Sequence, residues 1–145
     1  MIALASDHGG YKLKQDIIQH FEQNEIVYHD YGCYADEACD YADFAGPACE
    51  QVVLGNADCA VLVCGTGIGM SMAANKVKGI RAAVCTDEYC ARMTRRHNDA
   101  NVLCLGERVV GTGLALEIVD VFLKTAFEGG RHQTRIDKIA ALKDK

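Results

Sequence analysis

The chain has 145 residues, half of them hydrophobic and 24% charged, with a formal net charge of −5 at pH 7. This is the size of one domain, and the balance excludes a disordered or collagen-like chain. The negative charge gives no bulk attraction to nucleic acid or anionic lipid, and no apolar run nears the roughly 20 residues of a membrane span.

The chain opens on the apolar run Ile2–Ser6, which reads as a first strand. It lacks a basic n-region and meets Asp7 too early for a signal peptide. Asp7-His8-Gly9-Gly10 follows as a turn, and Tyr11–Asn24 sets Leu13, Ile17 and Phe21 four apart, the spacing of one helix face. Ile26–Asp30 is a second strand. Asp40-Tyr41-Ala42-Asp43 reads as a loop, and Phe44–Leu54 as a helix with Pro47 in its first turn, where a missing N–H is tolerated. Cys59–Cys64 is a third strand. It runs into Cys64-Gly65-Thr66-Gly67-Ile68-Gly69, from which a helix over Gly69–Lys78 departs. Arg81–Cys85 and Asn101–Leu105 are strands on either side of a helix over Asp87–His97, whose acidic start and basic end suit the helix dipole. Gly111–Phe127 carries Leu114, Ile118 and Phe122 on one stripe, and a last helix near Gln133–Lys143 follows the turn Gly129-Gly130.

This alternation predicts an α/β fold. βαβ units would build an open parallel sheet of about five strands with helices on both faces, in one domain over residues 1–145. Ligands bind at the carboxyl ends of such strands. That edge would collect Asp7-His8, Cys64 to Gly69, Thr86-Asp87 and Gly106-Glu107-Arg108. The eight cysteines form no CxxC and no zinc-finger spacing. Without a secretory signal they read as packed thiols in a reducing, cytoplasmic compartment, Cys64 excepted.

Three alternate glycines after a buried strand turn the backbone sharply and leave N–H groups free to hold an anion, either a phosphate or a developing oxyanion. The thiol of Cys64 opens that loop, where those donors favour thiolate. The glycines read GxGxG, not the GxGxxG of a dinucleotide site, and no P-loop is present. A cysteine phosphatase needs an arginine six residues after its nucleophile, where this chain has Met70. A base beside an oxyanion hole fits better. Asp7 and His8 can orient hydroxyls or an anion. Arg131 and Arg135 are four apart and share a helix face suited to phosphate; Glu128 and Asp137 are near enough in sequence to pair with them. Tyr41 is placed to cover a sugar. His20 and His29 read as packing or surface residues. His97-Asn98 closes a helix at the edge opposite the strand carboxyl ends, so a catalytic His97 must serve a neighbouring subunit, which argues for a dimer, or else the helix exit must bend back.

In order along the chain, several motifs resemble the ribose-5-phosphate isomerase B family, which also includes galactose-6-phosphate isomerase. They are Asp7-His8-Gly9-Gly10, Asp40-Tyr41, the loop Cys64 to Gly69, Ala73-Ala74-Asn75-Lys76, Gly79-Ile80-Arg81-Ala82, His97-Asn98-Asp99, Gly106-Glu107-Arg108-Val109-Val110 and Gly129-Gly130-Arg131-His132-Gln133-Thr134-Arg135. The resemblance covers nearly the whole chain. It implies a Rossmann-like fold and a cofactor-free aldose–ketose isomerase acting on ribose 5-phosphate and ribulose 5-phosphate through a cis-enediolate, with sites shared across a homodimer. It implies that Cys64 moves the proton between C2 and C1. Thr66 would assist proton movement, and the N–H groups of Gly65, Gly67, Ile68 and Gly69 would hold the enediolate. His97 of the other subunit would open the furanose. Asp7 and Asn98 would contact sugar hydroxyls, and His8, Arg131 and Arg135 would bind phosphate with Arg108 nearby. Some members use a glutamate base within the loop; Met70 stands there, so this chain is of the cysteine type. The usual proline after Asp-Tyr is Ala42 here. No metal is needed, and no ligand set for one is visible in the sequence. Two other readings stay open: a hexose-6-phosphate isomerase for allose or galactose, and a non-catalytic sugar-phosphate sensor. Whether dimers pair into tetramers also stays open.

Overall fold

The structure, a computed structural model, describes residues 1–142. Five strands, β1 (Ile2–Ser6), β2 (Tyr28–Asp30), β3 (Cys59–Cys64), β4 (Ala82–Val84) and β5 (Val102–Gly106), form one sheet in the order β2-β1-β3-β5-β4. Every pairing is parallel. The helices are α1 (Tyr11–Gln23), α2 (Tyr41–Val53), α3 (Ile68–Ala74), α4 (Glu88–Asn98), α5 (Thr112–Lys124) and α6 (Arg131–Ala140), with a 3-10 turn at His8–Gly10. This is the expected Rossmann-like α/β sandwich. None of the helices is long and apolar enough to cross a membrane among the described residues.

The central strands β1, β3 and β5 are buried throughout, because helices cover both faces. On one face Leu4, Val61, Val63, Leu103 and Leu105 meet Leu13, Ile17 and Phe21 of α1 and Ile118, Val119 and Phe122 of α5. Burying each of these larger side chains contributes about 1.5–3 kcal/mol. The other face mixes Leu62, Met70, Ile80 and Val102 with many small residues. Ala3, Ala5, Ala60, Cys64 and Cys104 of the sheet meet Ala45, Ala48 and Cys49 of α2 and Ala74 of α3. The strand cysteines thus serve as packing groups. Burial pushes the Cys49, Cys59 and Cys85 thiols up to about 12 and Cys104 well above its ordinary value. All eight cysteines are free.

Several boundaries differ from the sequence expectation. The edge strands β2 and β4 keep only three residues each, with one neighbour apiece to pair with. Helix α2 begins at Tyr41, so Tyr41 lies on a helix and not in a loop. Pro47 falls inside this helix, where its exposed position leaves the preceding turn's unpaired carbonyl open to water. Helix α3 stops at Ala74 because the Asn75 side chain turns to β4, accepting from Ala82 N at 2.8 Å and donating to Ala82 O at 3.0 Å. Helix α6 starts two residues early, at Arg131. Its expected end, Lys143, lies outside the described residues.

The chain leaves β1 toward β2 on one side, then returns to place β3 on the other. The crevice between the carboxyl ends of β1 and β3 is therefore the switch point where such sheets take ligands. The register Ser6↔Val63 and Cys64↔Gly106 brings the ends of β1, β3 and β5 level there.

Candidate active site

Cys64 is the last residue of β3 and is 4% exposed. Its Sγ accepts a hydrogen bond from Gly67 N–H at 3.1 Å. Gly67 reaches that position through φ +80°, a conformation disfavoured for side chains with a Cβ. Thr66 is exposed, and its Oγ1 accepts from Ile68 N–H at 3.3 Å. The N–H groups of Gly65, Thr66 and Gly69 meet no backbone acceptor among the described residues. A thiol that is already a hydrogen-bond acceptor thus sits beside main-chain donors open to an external oxygen, the arrangement a proton transfer next to a carbonyl requires.

The neighbouring loops are pressed onto this one. Glu107 N–H donates to Cys64 O at 2.9 Å and Arg108 N–H to Gly65 O at 3.0 Å. The Arg108 guanidinium lies over Gly65, where a Cβ would come within 2.9 Å of it. From β1, Asp7 is 7% exposed, and its Oδ1 accepts from Gly10 N–H at 3.1 Å, capping the 3-10 turn. That turn can lie against β3 only because residue 10 is glycine: a Cβ there would fall 2.5 Å from the carbonyl of Val63. His8 Nδ1 accepts from Cys39 N–H at 3.2 Å. A neutral ring accepting at Nδ1 carries its proton on Nε2, which is then a donor suited to an anion. The Tyr41 ring, 44% exposed, rests on Gly69, where a Cβ would come within 2.9 Å of it. Asp7, His8, Tyr41, Arg108 and the loop from Cys64 to Gly69 thus share the carboxyl edge.

His97, Asn98, Arg131 and Arg135 do not join them. Helix α4 starts at the carboxyl edge from its cap Asp87 and runs back, so its last turn lies at the amino end of the sheet. Asp99 closes it in a left-handed turn (φ 43°), held by Arg95 at 3.0 Å and Arg81 at 3.4 Å. The carbonyl of Asn98 accepts from Arg81 Nε at 3.0 Å. Here α6 packs on α4, and the His97 ring stacks on the His132 ring at 4.2 Å and 12°. Arg131 and Arg135 are exposed on the same helix as His132. Among the described residues no hydrogen bond or salt bridge joins this group to the Cys64 group.

Two expectations about this second group are corrected. Glu128 pairs with Arg96 at 3.6 Å and His132 at 3.5 Å, and Asp137 accepts from Gln133 at 2.8 Å. Neither makes a salt bridge to Arg131 or Arg135, because α6 turns those arginines outward. His132, which sequence reasoning passed over, is the buried member, 4% exposed. Its imidazole is held below the usual histidine range by burial, then by His97 and Arg131, with Glu128 acting in the opposite sense. His132, Glu128 and His97 also offer three ligand atoms close together, a set that the residue spacing does not reveal. Gly10 and Gly106 figured in the sequence only as members of strand-end motifs; their close approach to neighbouring backbone emerges from the packing.

Comparisons with known proteins place these observations. A profile of the family described as Ribose/Galactose Isomerase matches residues 2–139. The putative sugar phosphate isomerase YwlF of Bacillus subtilis is 51% identical over 145 residues, covering 99% of this chain and 97% of that protein. Ribose-5-phosphate isomerase B of Escherichia coli is 44% identical, covering 99% and 97%. Among solved structures, ribose-5-phosphate isomerase B of Clostridium thermocellum superposes with a TM-score of 0.94 at 54% identity, covering 96% of this chain and 94% of that one. Ribose-5-phosphate isomerase B of Mycoplasma genitalium, solved with bound ribulose-5-phosphate, gives 0.91 at 47% identity, covering 96% and 93%.

Proposed function

Because this chain belongs to the ribose/galactose isomerase family, we propose that it interconverts ribose 5-phosphate and ribulose 5-phosphate. The relatives named for that activity, and the one solved with ribulose-5-phosphate, support the substrate. The observation that carries the chemistry is the Cys64 sulfur, 3.1 Å from a donating N–H and beside the free donors of its own loop.

In this reading Cys64 removes the proton from C2 of the open aldose and returns it at C1. The negative charge that develops on the two sugar oxygens is met by the N–H groups of Gly65, Thr66 and Gly69, with Gly67 and Ile68 completing the loop. The Thr66 hydroxyl moves the proton between those oxygens. Carbon 1 is reduced as carbon 2 is oxidised, so electrons balance within the substrate and no redox cofactor is called for. Asp7 orients a hydroxyl, and Tyr41 covers the sugar from α2. His8, through Nε2–H, and Arg108 lie at the same edge to meet phosphate.

His97, Asn98, Arg131 and Arg135 stand at the other end of the sheet. Two copies of the chain solve this: the partner's His97 opens the furanose at a site whose thiol the first copy supplies. Phosphate binding by the paired arginines then adds orientation remote from the reacting carbons. A cytoplasmic, reducing compartment suits the eight free thiols.

The test is Cys64→Ala, followed by deuterium uptake at C2 in heavy water with bound substrate. Exchange falls by about 10²–10⁴-fold, the worth of a positioned base, while unfolding and substrate binding stay near wild type. Wild-type exchange in the variant removes Cys64 from the reaction. A parallel panel of five- and six-carbon aldose phosphates reads the preferred substrate.

A further inference from the structure

We propose that His97, Glu128 and His132 form a binding site for a divalent transition-metal ion of the zinc class. One ligand atom from each residue lies within 4.8 Å of the others. The Nε2 atom of His132 is buried and is the one buried side-chain polar atom without a hydrogen-bond partner among the described residues. Its nearest charged neighbour, Glu128 Oε2 at 3.5 Å, makes no hydrogen bond with it; a buried atom left so is costly, and a metal ion would satisfy it.

The geometry suits this ion class. Glu128 Oε2 stands 3.5 Å from His132 Nε2. With bonds of about 2.0–2.1 Å to nitrogen and oxygen, an ion shared by these two atoms subtends an angle of about 115°, close to tetrahedral. The carboxylate is already aimed. Arg96 holds its other oxygen at 3.6 Å, and Glu128 N–H donates to Arg96 O at 3.1 Å. The stacked His97 ring must turn out of its parallel position to point a nitrogen at the ion. It is half-buried and makes no hydrogen bond to the described residues, so no hydrogen bond is lost in that turn. A neutral imidazole is the ligating form. Two histidines and one carboxylate leave a fourth position for water or a sugar oxygen.

The consequence rests on the function proposed above. A metal ion on His97 occupies the lone pair that would open the sugar ring, so the loaded protein is inhibited on cyclic substrate. The ion is a brake on the enzyme and takes no part in the isomerisation.

Cobalt(II) serves as the optical probe and zinc(II) as the calorimetric one, on the full-length protein with Glu128→Gln and His132→Asn as variants. Wild type binds one ion per chain with a visible spectrum typical of nitrogen and oxygen ligands. Each variant weakens that binding by at least about tenfold. Absence of binding, equal binding in both variants, or a near-ultraviolet thiolate band that puts the ion on cysteine overturns the proposal. Glu128 is exposed, so Glu128→Gln keeps the test alive even where His132→Asn does not fold. Zinc inhibition of cyclic ribose 5-phosphate turnover, reversed by chelator and weakened in Glu128→Gln, extends the case. Binding without inhibition leaves the metal site standing and refutes ring opening by His97.

Discussion

Gly106→Ala should disable the enzyme while leaving it folded. A Cβ built on Gly106 falls 2.6 Å from the carbonyl carbon of Thr66 and 2.7 Å from its Cα and oxygen. Ordinary contact begins at 3.4 Å, so something must move by about 0.8 Å. Strand β5 is buried and paired on both sides, whereas Thr66 is exposed on a loop, so the loop is what yields. Its φ places no demand for glycine at 106, so the effect is steric alone. The shift pulls the Gly67 N–H away from its 3.1 Å contact with the Cys64 sulfur and moves the neighbouring donors off the oxygens of the proposed enediolate. A misplacement of this size costs about 10²-fold in kcat, against an overpacking cost of about 1–3 kcal/mol in unfolding. Steady-state turnover and urea unfolding measure the two sides. A folded variant with kcat within about threefold of wild type would show that the loop's position against β5 does not set the rate.

Three further outcomes test other parts of the structure. His97→Asn should slow turnover of cyclic ribose 5-phosphate far more than that of an acyclic analogue; equal losses on both would exclude ring opening as its task. Asp30→Asn should cost about 3 kcal/mol in urea unfolding, because Lys14 is fully buried with both Asp30 oxygens at 2.8 Å and would keep its charge against neutral acceptors alone, the amide oxygen and the Cys33 carbonyl. Adding Lys14→Met should restore most of that loss, and a double variant no more stable than the single one refutes the argument. The third concerns pH. The folded His132 binds its proton below the usual histidine range, so the unfolded chain takes it up first. Stability from this residue is therefore full above about pH 6.5 and lost as pH falls toward the lowered folded value, flat below it. His132→Gln should flatten the urea midpoint across that window; an unchanged slope assigns the pH dependence elsewhere.

The fold was legible because burial on both faces leaves its mark on each central strand. Apolar runs at β1, β3 and β5, separated by helical spacing, admit little besides a parallel sheet. The carboxyl-edge residues other than Tyr41 followed from the same logic, since each stands at or just after the end of a strand. Ends governed by side-chain contacts were not legible. Asn75 stops α3 by bonding Ala82, seven residues further on, and nothing local announces it. Tyr41 starts α2 earlier than Pro47 suggests, because an exposed helix face tolerates the lost bond. His132 escaped notice between Arg131 and Gln133, because its meaning lies in a ring stack across two helices that only tertiary packing creates. His97 was the opposite case: the direction of α4 alone put it at the far end, and the structure agrees.

The seam of alanine and cysteine beneath α2 and α3 has its own effect. Where these residues face α2, the helix packs on β-carbons and thiols, in place of the leucines and phenylalanines that fill the opposite face. Tyr41 on α2 and Gly69 on α3 meet on this side of the sandwich. A thicker filler at Ala45, Ala48 or Ala60, all fully buried, would press α2 outward and lift the ring away from the glycine loop, so methyl groups far from the Cys64 sulfur govern the cover above it.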